Sequence, residues 1–239
     1  MKKDSKNSKQ TPLIPVHSLN HSELEILIGD VIHKVKNNLG GMSGFATLLE
    51  RDLGEESPHL RLIEQIQSSV MRLDDLVVDL MVLIRKVKPT WHDVPVHPLL
   101  SNIILQYEER HQLKCKISYS EKIKSDRYCI HADDFVLERI FLYLIRFVEN
   151  MNGILKEICI ENVKEKSTRF VVKIDHLDLD HQENTSIAKL MTEHESVEAR
   201  LAFAILIKLV EALNGHLDAK YESNTNMDLL IEFAEGKTR

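Results

Sequence analysis

The sequence predicts an α+β protein in two halves: a long antiparallel helical hairpin that forms a dimeric four-helix bundle, followed by an α/β sandwich. Three observations predict it. Apolar residues from Leu24 to Val87 recur at steps of three and four, the period of helices that bury one seam. Pro89, Pro95 and Pro98 then crowd a short stretch, where long helices end. Beyond them, period-two segments such as Phe170/Val172/Ile174 alternate with helical ones, the pattern of a sheet covered on one face by helices.

Taken in order, residues 1–19 are Lys/Ser/Asn-rich, hold Pro12 and Pro15, and read as a disordered tail. Residues 20–88 form the hairpin. Ser22 with Glu25 makes a capping box that opens the first helix, whose seam runs Leu24, Ile28, Val31, Val35, Leu39, Met42, Ala46 and Leu49. Gly54, Ser57 and Pro58 close it near Leu53. The second helix, 58–87, has the stricter seam: Ile63, Ile66, Val70, Leu73, Val77, Leu80, Ile84 and Val87, a coiled-coil-like repeat. A single hairpin leaves much of both seams wet, whereas two copies bury them in a four-helix bundle. A homodimer is therefore expected. Residues 89–98, with the only tryptophan, Trp91, read as a linker. The α/β domain, 99–239, is expected to run helix 99–113, strands 114–119 and 127–131, helix 133–151, and strands 154–162 and 169–174. A polar stretch, 178–185, leads to a helix through Ala212 that Asn214-Gly215 ends. Strands 216–221 and 228–233 finish the domain.

Composition narrows the function. The 239 residues carry a net charge of −6, which argues against a general nucleic-acid binder. Cys115, Cys129 and Cys159 are scattered with no CxxC pair, so neither a zinc site nor a disulfide framework is indicated. They fit reduced, buried thiols in a cytoplasmic protein. The longest apolar runs, 77–84 and 201–210, are broken by Asp79 and Lys208 and are too short to span a bilayer. The N-terminus lacks the apolar core of a signal peptide. No membrane partner is expected.

One stretch concentrates the chemistry. His33 lies two residues past the seam position Val31, about 200° around the helix, so it faces away from the buried stripe. Asn37 and Gly40, one and two turns on, share its face. Gly40, Gly41 and Gly44 each cost roughly 1 kcal/mol against alanine inside a helix, which suggests that something packs closely there.

From about Glu23 to Phe233 the chain resembles the catalytic core of a sensor histidine kinase. His33-Lys34-Val35-Lys36-Asn37-Asn38-Leu39 resembles the H-box with its phosphoaccepting histidine, and Ser43-Gly44-Phe45-Ala46 and Leu76-Val77-Val78-Asp79-Leu80 resemble the dimerisation domain. The second half resembles the family's ATP-binding domain in outline and departs from it at the nucleotide positions. Ala132-Asp133 and Leu137 align with the start of the N-box helix, but the metal-holding asparagine falls on Phe147 and its companion on Tyr143, with Asn150 one turn out of register. The first glycine box reads Asp175-His176-Leu177-Asp178-Leu179, keeping the aspartate and neither glycine. The second set of glycines falls on Arg200 and Ala202. Phosphate loops need glycine for close backbone approach and positive φ, and phenylalanine offers a metal no oxygen. The expectation is a degenerate ATPase-like domain that binds no nucleotide, with no cofactor of its own.

The hairpin shows no such loss. That asymmetry resembles the ChpT-type histidine phosphotransferases, which pass phosphoryl groups between receiver-domain aspartates through one histidine. The residue after the histidine, usually Asp or Glu in kinases, is Lys34, and Asn38 replaces the usual proline, so the helix need not kink there. The resemblance implies a phosphorelay intermediate without autokinase activity, with His33 as phosphoacceptor. Lys34 or Lys36 would offset phosphoryl charge, and Asn37 would orient the ring or a water. Gly40, Gly41, Gly44 and Phe45 would meet the docked receiver, which would bring its own magnesium. The implied partners are response-regulator receiver domains, an upstream hybrid histidine kinase and a second copy of the chain. The competing reading is a pseudokinase that binds a response regulator or promotes its dephosphorylation through the His33/Asn37 pair. Third comes a kinase with unusual motifs.

Overall fold

The structure is a computed structural model that describes residues 21–53, 57–120, 123, 128–164, 167–176, 196–221 and 225–234. The expected tail, the capping-box side chains and the polar stretch 178–185 lie outside the described residues. α1 (His21–Leu53) and α2 (Leu60–Ile84) form the hairpin. Its antiparallel sense shows in two cross-helix pairs: Lys36 meets Asp74 at 3.3 Å, and the Gln67 amide donates to Glu50 at 3.0 Å.

Among the described residues the hairpin buries only two of the eight expected seam positions on each helix. Ile32, Leu39 and Ala46 on α1, and Ile63 and Val70 on α2, are buried at seven-residue intervals. The intervening positions Val35, Met42, Leu49, Ile66, Leu73 and Leu80 are exposed. Val31, expected in the seam, is 54% exposed, and Ile32 takes its place. The reason is geometric. Two helices share one line of contact, so of two apolar stripes on each helix one stays outside.

The stretch 89–98 is not a bare linker. β1 (His92–Pro95) pairs antiparallel with β3 (Cys129–Ala132), from His92 opposite Ala132 to Pro95 opposite Cys129. α3 then begins at Val96 and runs to His111. Pro98 is tolerated in its first turn because an N–H there has no intrahelical partner. Gln112, with φ 56°, ends α3.

The main sheet has the order β2-β4-β5-β7-β6, with β2 (Lys116–Tyr119) parallel to β4 (Ile154–Lys164). β5 (Ser167–Asp175), β7 (Met227–Ala234) and β6 (Gly215–Tyr221) continue it antiparallel. One face is buried: Phe170, Val172 and Ile174 on β5, and Met227, Leu229, Ile231 and Phe233 on β7. They share one core with α3, α4 (Asp134–Asn150) and α5 (Val197–Ala212). Asp133 caps α4 by accepting from the Val136 N–H at 2.9 Å, and its other oxygen holds the Thr90 N–H at 2.6 Å. Ser196 caps α5 through the Ala199 N–H. After α5 the chain turns through Asn214, at φ 54°, into Gly215, where a Cβ would lie 2.7 Å from the Phe233 ring. Only glycine lets the backbone approach that closely.

Candidate functional site

His33 is exposed on α1, as are Asn37, Gly40, Gly41 and Gly44, while Phe45 stands 70% exposed. At 100° per residue, Asn37, Gly40 and Gly44 fall within about 40° of His33, making one stripe along the helix. Lys34, Gly41 and Phe45 lie on one flank of that stripe. Lys36 lies on the other, where its ion pair with Asp74 ties it to α2. The exposed apolar stripe of Val35, Met42 and Leu49 is about 160–200° around from His33. A body covering that stripe leaves the histidine open.

A Cβ at Gly40, Gly41 or Gly44 would meet nothing within 4 Å. Among the described residues nothing packs there, so contact between α1 and α2 does not account for them. They leave a bare strip of helix backbone beside His33, bordered by Phe45.

The positions aligned with the nucleotide site hold packing instead. Tyr143 and Phe147, one turn apart on α4, are both buried. Phe147 lies against Phe203 of α5, ring centroids 4.7 Å apart. The Tyr143 hydroxyl donates to Asp79 Oδ1 at 2.8 Å, and Arg146 Nη1 donates to the same oxygen at 2.8 Å. Burial first, then the Asp79 bond, pushes the Tyr143 hydroxyl up to about 12. Burial opposes the Arg146 charge, but Asp79 outweighs it and raises the guanidinium above its ordinary value. Ala202 is buried in the core. Asp175 forms an ion pair with Lys156 of the neighbouring strand at 3.4 Å. Among the described residues no group of three or more His, Cys, Asp or Glu could hold a metal, and no helix is long and apolar enough to cross a membrane.

Sequence reasoning passed over Asp79, Arg146 and Lys208. Asp79 is 3% exposed, and Lys208 Nζ donates to the Leu83 and Arg85 carbonyls at 2.5 Å each. The signal was available: Asp79 and Lys208 are the two charges that interrupt the longest apolar runs. A charge inside such a run either faces water or has a buried partner.

No family model matches the chain, and no curated protein matches its sequence. Solved structures do. Full-length ShkA, in complex with AMPPNP, superposes with a TM-score of 0.67 at 20% identity, over 89% of this chain and 46% of that one. The Acinetobacter baumannii histidine kinase AdeS superposes with a TM-score of 0.56 at 15% identity, over 86% of this chain and 97% of that one. The chain thus spans less than half the length of ShkA. At these identities the likeness is one of fold: a helical hairpin followed by an α/β sandwich like the catalytic domain of a histidine kinase.

Proposed function

We propose that the chain is a histidine phosphotransferase of a two-component phosphorelay, carrying phosphoryl groups between receiver aspartates on His33 without binding ATP. The observation that carries this reading is the contrast between the two halves. His33 stands exposed beside a bare helix strip, while Tyr143 and Phe147, the aligned nucleotide positions, are consumed by contacts with Asp79 and Phe203. A phenyl ring packed in the core supplies neither a metal ligand nor a phosphate contact.

In the step, an imidazole nitrogen of His33 attacks the phosphorus of a receiver's aspartyl phosphate. The N–P bond forms as the acyl-phosphate P–O bond breaks, the aspartate leaves as carboxylate, and the ring proton passes to solvent. A second receiver's aspartate reverses it. This chain contributes positioning and an accessible nucleophile. Magnesium comes with the receiver. Lys34 is exposed and able to offset phosphoryl charge; Lys36 reaches the phosphate only by leaving Asp74. Gly40, Gly41, Gly44 and Phe45 are the receiver's docking surface. A second copy covers Val35, Met42, Leu49, Ile66, Leu73 and Leu80, making a homodimeric four-helix bundle.

The test is transfer from purified, radiolabelled phospho-receivers, with nucleotide titration alongside. The expected result is label on the wild-type chain, none on His33→Ala with its helicity intact, and no ATP binding. Label on the alanine variant sinks the proposal. The pseudokinase reading draws on Asn37, exposed one turn from His33; it predicts that receiver phosphate is lost while this chain is never labelled. ATP binding with autophosphorylation at His33 would make it a kinase.

A further inference from the structure

We infer that Asp79 is the latch of an interdomain lock that holds the α/β domain in one fixed orientation on the hairpin, near the level of His33. The Lys36–Asp74 and Gln67–Glu50 pairs bracket the register of the two helices. By the first, Asp79 lies about two residues past the level of His33, and by the second about five residues short of it, so it sits within about two turns of that level. Its carboxylate belongs to the hairpin and is buried, and both donors to its Oδ1 come from α4 of the other domain. The Arg146 guanidinium also lies 5.4 Å from the centroid of the Tyr143 ring, so the two donors brace each other.

A single bond could act as a pivot, but a second anchor removes that freedom. Lys208, from α5, donates to the carbonyls of Leu83 and Arg85 at the C-terminal end of α2. Carbonyls there have no partner within the helix, and a cation is favoured beside them. The two anchors grip different turns of α2 from two different helices. Val82, Leu83 and Val87 pack against the domain core between and beyond them. Separation would give up the two bonds to Asp79, the two from Lys208 and the apolar contacts around them.

The consequence is positional. A domain that delivers phosphate to a side chain on another domain must approach it and withdraw. Here the helix that could have carried a nucleotide instead clamps α2. The clamp covers the end of the hairpin past His33 and leaves the end bearing Gly40, Gly44 and Phe45 bare. The α/β domain is thus a fixed wall on one side of His33, and a partner must dock from the other. The rigidity itself does not depend on the phosphotransfer reading, because its test reads domain position and not phosphate.

The experiment uses the full chain in small-angle X-ray scattering and limited trypsin digestion, since Arg85 and Lys86 place cleavage sites beside the lock. The wild-type curve is expected to fit one domain arrangement, with slow cleavage after Arg85 and Lys86. Asp79→Ala combined with Lys208→Met should lengthen the maximum dimension and speed that cleavage tenfold or more, with far-ultraviolet circular dichroism unchanged. Tyr143→Phe, which keeps the ring and removes one donor, should give a smaller acceleration of a few-fold. Wild-type-like scattering and cleavage in a folded double variant overturn the inference. So does a wild-type curve that needs a spread of domain positions, whether or not any variant folds.

Discussion

The hairpin and the α/β domain draw on similar apolar side chains and use them in opposite ways. In the hairpin, Val35, Met42, Leu49, Ile66, Leu73 and Leu80 stay exposed at heptad spacing, and Phe45 and Met71 are more exposed still. In the α/β domain, Phe141, Phe147, Phe170 and Phe203 are all fully enclosed, Phe141 meeting Phe170 edge-on at 5.2 Å. A sheet with helices on one face closes a core within one chain, whereas two helices do not. The apolar stripe on the hairpin is left open by this chain. Positions filled in the α/β domain, including those aligned with a nucleotide site, serve packing.

The largest effect that would break this comparison is chemical. His33→Ala should abolish phosphoryl transfer while leaving the fold intact, and the corresponding loss of function should not follow from changes inside the closed core. Next, Phe147→Ala should cost the α/β domain about 3–5 kcal/mol by opening a cavity against Phe203, read as a shift in the urea midpoint. If that change is nearly free, the position is not packed as described. In the hairpin the matching experiment concerns concentration. Leu73→Glu leaves the buried contacts between α1 and α2 in place but sets like charges face to face in a bundle, so sedimentation should shift from dimer to monomer. A variant that sediments like wild type refutes dimerisation through this stripe.

Gly44→Ala should stabilise α1 by about 1 kcal/mol, because the added methyl meets open space, and should weaken receiver binding if the strip is the docking surface. Tighter binding would count against docking there. The smallest effect is on thiol chemistry. Burial pushes the Cys115 thiol up to about 12, so at pH 8 only about one molecule in ten thousand carries the thiolate. Iodoacetamide should modify the exposed Cys129 and spare Cys115 until the domain unfolds.

Much of this was legible in the residues. Periodicity alone located both long helices, and α1 ends at Leu53 as expected. Period two located β5 and β7, and Asn214-Gly215 marked the end of α5. His33 is exposed as expected, although Val31, from which its face was reckoned, is exposed too and Ile32 is the buried residue. β1 was not legible: His92–Pro95 is four residues long and contains proline, and it is a strand only because β3 offers a partner. The tie between Lys36 and Asp74, and the empty space around the glycines, likewise depend on what the neighbouring helix places opposite them.

The sequence by itself determined the two-part architecture, because helix and strand periods are local and survive in any window of the chain. It also determined which metal and phosphate contacts phenylalanine and alanine cannot make. Only the tertiary structure decided which positions of each seam are buried, and it alone joined Asp79 to Tyr143 and Arg146. Those partners lie 64 and 67 residues from Asp79 along the chain. A buried charge takes its meaning from the groups that surround it in space, and no local pattern specifies them.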